Sequence, residues 1–99
     1  MINVEVDSER IQEFCHRWKV RELSLFGSVI RPDFRDESDV DVLVDLYPGH
    51  GLTLYDWQDM IGELEEIFGR RVDLVAKSGL RNPLRRRAIL QTAETVYAA

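Results

Sequence analysis

The chain has 99 residues, 44% of them apolar and 31% charged, which is the balance of an ordinary globular protein. Its net charge of −5 weighs against a general nucleic-acid coat, and no apolar run approaches the ~20 residues of a membrane span. Residues 1–69 carry 16 acids and 6 bases, whereas residues 70–99 carry 2 acids and 7 bases. An acidic body followed by a basic tail can hold a metal and its anionic ligand together; the same tail can also simply neutralise the body. A length of 99 residues predicts a single domain over 1–99. The first ten residues lack the basic flank and apolar stretch of a signal peptide, so a cytoplasmic location is expected.

In chain order, the first expected element is a helix from Ser8 to Trp18. Ile11, Phe14, Cys15 and Trp18 fall on one helical face, and Asp7 or Ser8 can cap it. Cys15 is the one cysteine, so it reads as a buried small hydrophobe rather than half of a disulfide. His16 and His50 have no neighbours at zinc-ligand spacing, and a structural zinc site is not expected. Glu22 to Phe26 reads as a short strand ending at Gly27, with a short helix possible near Ser28. Val40 to Leu46 is a second strand, and Thr53 to Phe68 a second helix with Leu54, Trp57, Ile61, Leu64 and Phe68 along its buried stripe. Gly69 suits the position just past that helix. Arg71 to Ala76 is a third strand. Asn82-Pro83 is a capping pair for a last helix reaching about Tyr97. The order predicts a small α/β fold, with helices packed on a short sheet of about three strands. Strand directions stay open.

Three features carry chemistry. Asp39 and Asp41 open the otherwise apolar strand Val40-Asp41-Val42-Leu43-Val44. Residues two apart on a strand share a face roughly 7 Å apart, so the two carboxylates repel and lose hydration together. A divalent cation offsets that repulsion, and hard oxygen ligands suit magnesium. Alone, the pair could equally cap a strand end and meet Arg31 or Arg35. The second feature is Gly27-Ser28 directly after a strand, where the backbone can approach a ligand closely and the following amides can meet phosphate. The third is Asp73, a single carboxylate inside the five-residue strand Arg71-Val72-Asp73-Leu74-Val75. If its strand lies beside that of Asp41, three carboxylates converge, enough for two magnesium ions with positions left for phosphate oxygens. Otherwise Asp73 simply faces solvent. Asp45 shares strand parity with Asp39 and Asp41, but it lies some 13–20 Å further along an extended strand.

Leu25-Phe26-Gly27-Ser28-Val29-Ile30-Arg31, then Ser38-Asp39-Val40-Asp41-Val42-Leu43-Val44, then Val72-Asp73-Leu74-Val75 resembles the polymerase-β-like nucleotidyltransferases. Within them it is most similar to the minimal nucleotidyltransferase (MNT) group. The resemblance is in order and in spacing, and covers almost the full chain; the stretch from Asn82 to Tyr97 looks like the family's last helix. It implies a nucleotidyltransferase fold with a mixed sheet and an enzyme that transfers AMP from ATP. It assigns Asp39, Asp41 and Asp73 to catalysis and to two Mg2+ ions, and Gly27, Ser28, Arg31 and Ser38 to the nucleotide. It further implies a HEPN-type toxin as partner, modified on a tyrosine, which makes the chain an antitoxin. At 99 residues no second domain is expected to grip a large substrate, which favours an acceptor protein. Direct nucleic-acid binding is not expected. The rivals are a binding-only antitoxin, a transferase acting on a small molecule, and a metal-dependent phosphohydrolase or nuclease. Arg85, Arg86 and Arg87 fall in the first turn of the last helix, where the dipole disfavours cations. A triphosphate, the acidic body or a partner protein would resolve that conflict, unless the three are simply solvated.

Overall fold

The computed structural model describes residues 2–99. The elements in chain order are α1 (Ser8–Arg17), β1 (Val20–Phe26), a 3-10 turn (Gly27–Ile30), β2 (Val40–Leu46), α2 (Leu54–Phe68) and β3 (Val72–Ala76), followed by a short 3-10 turn (Lys77–Gly79), α3 (Pro83–Thr92) and β4 (Glu94–Ala98). Caps explain the helix starts. Asp7 accepts from the Arg10 amide, Thr53 and Asp56 form a reciprocal capping box, and the Asn82 side chain accepts from the amides of Leu84 and Arg85. Gly69 ends α2 with φ 67°, a conformation that disfavours other residues. The first helix stops one residue short of Trp18, and β1 begins two residues before Glu22.

The strand order is β3-β2-β1-β4. β1 is antiparallel to both β2 and β4, and β2 is parallel to β3. The α2 helix makes the crossover that a parallel pair requires. Three expectations need correction. Leu54, expected on the buried stripe of α2, is exposed at the helix's first position, and Met60 is buried along the stripe with Leu64 and Phe68. The last helix stops at Thr92 instead of reaching Tyr97, and Glu94–Ala98 forms a fourth strand, so the sheet has four strands and not about three. Ala93 is extended (ψ 139°), and Thr95, Val96 and Tyr97 are residue types that favour a pleated surface. Pairing with β1 satisfies their backbone, and the Ser24 and Thr95 hydroxyls meet at 3.2 Å across the two strands.

Strand alternation sorts the two faces. Val40, Val42 and Val44 join Ile11, Phe14, Met60 and Leu64 in the main core beneath α1 and α2. Leu43 points the other way, to a smaller core with Phe26, Leu80 and Ile89, covered by α3. Cys15 belongs to the main core, and burial pushes its thiol up to about 12, which keeps it a thiol at neutral pH. Trp18 and Arg17 of the first helical segment both meet Glu63 of α2, the indole N–H donating at 2.6 Å, which fixes one helix on the other. Leu64 is fully buried at the centre of that packing. Leu64→Ala is expected to destabilise the fold by about 2–5 kcal/mol, read as a lowered midpoint in urea with an unchanged slope. Among the described residues no helix is long and apolar enough to cross a membrane.

Candidate active site

Asp41 shares strand parity with Leu43, so it lies on the α3 side of the sheet. In the parallel pairing Asp41 stands directly opposite Asp73, and Asp73 shares parity with Val75, which packs against the smaller core under α3. The Asp41 and Asp73 carboxylates therefore face the same side at the N-terminal ends of β2 and β3, and Asp39, one residue before β2, is near enough to act on Asp41. The antiparallel pairing places Phe26, the last residue of β1, opposite Asp41. Gly27 thus begins its turn against the Asp41 carboxylate. Its φ is +72°, and a Cβ added there would collide with the Asp41 side chain, 3.2 Å from Cγ and closer still to Oδ2. Glycine is required here both by backbone conformation and by space.

Asp41 carries the electrostatic signature of the site. Its carboxyl is held above the ordinary range first by burial, then by the negative charges of Asp73 and Asp39. Arg31 and Arg85 act on it in the opposite direction. Among the described residues no three His, Cys, Asp or Glu side chains stand as a ready-made metal cage. The acids are repelling neighbours with exposed Asp39 and Asp73 on either side of half-buried Asp41. Hard oxygen donors whose mutual repulsion raises a proton affinity are the donor set that a divalent cation stabilises, so the residues fit magnesium.

The folded chain holds the Asp41 proton more tightly than the unfolded chain. Ionising Asp41, as pH rises from the ordinary carboxylate value to its raised one, therefore weakens the fold. Asp41→Asn is expected to raise the melting temperature of the metal-free protein at neutral pH. The gain should shrink as pH falls through the carboxylate range, where Asp41 is protonated in both states. Thermal unfolding of both proteins across that range checks the sign.

The other candidates fall into place unevenly. Ser28 lies in the 3-10 turn, and its carbonyl accepts from the Arg31 amide at 2.9 Å. The Arg31 guanidinium lies 3.4 Å from exposed Asp33. Ser38 is occupied locally: its hydroxyl accepts from the Arg35 amide at 3.2 Å, and its own amide donates to the Arg35 carbonyl at 3.0 Å. Asp45 is drawn to Arg21 at 2.9 Å, at the far end of β2. The three arginines of α3 divide. Arg86 donates to the Lys77 carbonyl at 3.0 Å, Arg85 reaches Asp41 with its field, and Arg87 is exposed. A cavity of about 490 Å3 opens beside Gly27 between the 3-10 turn and α3, apolar except for Arg31 and Thr92. A hollow of about 480 Å3 elsewhere, lined by Asn3, Glu66 and Arg70 among others, includes none of the three acids.

Sequence reasoning missed two supports. The Asn3 side chain donates to the carbonyls of Val29 (2.9 Å) and Arg31 (2.7 Å), tying the N-terminal segment to the Gly27 turn. Arg70 donates to the carbonyls of Arg35 and Asp36, both at 2.8 Å. Neither has a local signal, because each partner lies more than 25 residues away in sequence.

The site is thus a glycine turn against Asp41, with Asp73 opposite on the parallel neighbour strand. The chain belongs to the nucleotidyltransferase domain family, whose model matches residues 8–95. It is 36% identical over 86 residues to the protein adenylyltransferase MntA of Thermococcus cleftensis, covering 87% of this chain and 82% of that one. Its fold matches a solved minimal nucleotidyltransferase with TM-score 0.72 and 36% identity, over 88% of this chain and 86% of the other. A toxin–antitoxin complex with AMP-PNP has the same fold at 18% identity, with TM-score 0.74, 95% of this chain covered and 75% of that one. The protein is thus a nucleotidyltransferase.

Proposed function

We propose that this nucleotidyltransferase moves AMP from ATP onto a tyrosine of a partner protein, a HEPN-type toxin, and thereby acts as its antitoxin. The observation that carries the chemistry is Asp41 set against the Gly27 turn, opposite Asp73 on the parallel strand and two residues after Asp39. The identity of the acceptor is supported by relatives. One is named a protein adenylyltransferase, and a structure of the same fold, at 16% identity, holds a tri-AMPylated Shewanella oneidensis HEPN toxin with its MNT antitoxin.

Asp39 and Asp41 would hold two magnesium ions and Asp73 would complete one of the two sites. The ions, when bound, neutralise the triphosphate and the charge that develops at its α-phosphorus. The backbone from Gly27 and Ser28 approaches the β- and γ-phosphates, and Arg31 and Ser38 lie beside the nucleotide. The tyrosine oxygen attacks the α-phosphorus in line. A new P–O bond forms to the tyrosine, the bond between the α-phosphorus and the bridging oxygen breaks, and pyrophosphate leaves. Asp73, the more exposed acid opposite Asp41, takes the phenolic proton. The chain's contribution is mainly position and charge neutralisation.

The test is to incubate the purified chain with ATP, magnesium and the protein encoded beside it, then weigh that partner intact. Added adenylyl groups that require magnesium support the reading, and peptide mapping shows whether a tyrosine carries them. A partner that is silenced without gaining mass points to masking alone, and a free nucleotide product points to hydrolysis.

A further inference from the structure

We infer that Arg70 is a positioning residue for the active site: it holds the 34–38 loop so that Asp39 meets Asp41 and Asp73 in a productive arrangement. The inference rests on the metal-dependent reading above. Arg70 lies between the end of α2 and the start of β3, directly after the left-handed Gly69. One guanidinium nitrogen donates to the carbonyls of Arg35 and Asp36, each at 2.8 Å. The other is 3.7 Å from the Asp36 carboxylate, and the guanidinium carbon sits 4.5 Å from the centre of the Phe34 ring. The Arg70 side chain is only 21% exposed although it is charged, so these partners replace most of its water. Phe34 in turn packs against the main core.

The chain of contacts runs straight to the site. The Arg35 carbonyl that Arg70 engages also accepts from the Ser38 amide, and the Ser38 hydroxyl accepts from the Arg35 amide. This closed turn delivers the chain to Asp39. One residue later the Val40 amide donates to the Arg71 carbonyl at 2.9 Å, so both ends of the connection are anchored on neighbouring residues of one segment. The 31–39 stretch contains no helix or strand of its own, and Asp33, Asp36 and Glu37 are exposed acids that repel. Among the described residues no other side chain donates a hydrogen bond to the Arg35 or Asp36 carbonyl. Lysine cannot replace arginine here, because an ammonium lacks the planar face over Phe34 and the fork that spans two carbonyls and a carboxylate.

The test uses Arg70→Ala and Arg70→Lys in the full chain, with three readouts. Amide exchange at Ser38 and Val40, whose amides are bonded at this turn, should quicken by about tenfold or more in Arg70→Ala while that of Leu23 and Val42 stays unchanged. Affinity for Mn2+, titrated calorimetrically as the probe cation, should weaken by about 10–100-fold, and kcat for AMP transfer should fall by a similar factor. Millimolar guanidinium should restore part of both losses in Arg70→Ala, and Arg70→Lys should stay well below the wild type. Unchanged exchange at Ser38 overturns the inference. So does faster exchange throughout the sheet with a lowered melting temperature, or full Mn2+ affinity despite a loosened loop. The exchange and Mn2+ readouts need no acceptor, so a wild-type chain that transfers no AMP defeats the proposed reaction without deciding the role of Arg70.

Discussion

Replacing Asp39 and Asp41 together with alanine is expected to lower AMP transfer by about 10³-fold or more while the chain still folds and still binds its partner. On the proposed mechanism each carboxylate lost weakens the hold on the cations that would neutralise the charge developing at phosphorus, an effect worth roughly 10²–10³ per group in a preorganised site. Folding should survive because neither side chain belongs to a core, and Asp41 is itself held at a cost by burial and by its acidic neighbours. The measurement is intact mass of the partner after incubation with ATP, alongside size-exclusion of the mixture. Retained complex with no added mass is the expected result. Retained transfer would remove both acids from the mechanism.

Gly27→Ala is expected to act on both stability and transfer. Alanine at φ +72° costs about 1–2 kcal/mol in backbone terms, and its Cβ would also overlap the Asp41 carboxylate. Either the turn or the acid must move. A displacement near 1 Å at reacting groups can lower a rate by about 10²-fold, and a loss of that order is expected here. The two effects separate in a double-mutant cycle. In an Asp41→Gly background the collision is gone and only the backbone penalty should remain, so the stability effects of the two substitutions should be non-additive. Additivity in thermal unfolding would show that Gly27 and Asp41 do not crowd each other.

The parts of the molecule that could be read from sequence are those whose signals are local. The second strand is bounded by acids around an uninterrupted apolar run, and its limits at Val40 and Leu46 are the same in the structure. Helix α2 announces itself by Thr53, Asp56 and Gly69. The α/β class followed, and so did the candidate acids. Strand β4 was hidden by the strong helix start at Asn82-Pro83. No glycine or proline stop stands before Glu94, and five residues are too few for alternation to outweigh a helical reading. Its nature is decided by β1, some 70 residues earlier. Asp73 was visible as an oddity, but its place beside Asp41 depended on a parallel pairing that no local pattern encodes. Arg70 looked like one more base of the tail, and its partners are 34 and 35 residues away. The basic tail itself proved heterogeneous. Arg86 binds backbone carbonyls and Arg85 acts on the acids, so a charge count could not have assigned either.

The sheet order has a dynamic consequence. Asp39 and Asp41 arrive with a central strand flanked on both sides, whereas Asp73 arrives with β3, a five-residue strand at the sheet's edge. Edge strands open locally at lower free energy than the strands they border. Asp41 is therefore held between two neighbouring strands, whereas Asp73 rides on an edge that is expected to open first. A ligand that needs all three would use part of its binding energy to hold that edge closed, so occupancy should slow solvent exchange along β3 as well as raise global stability.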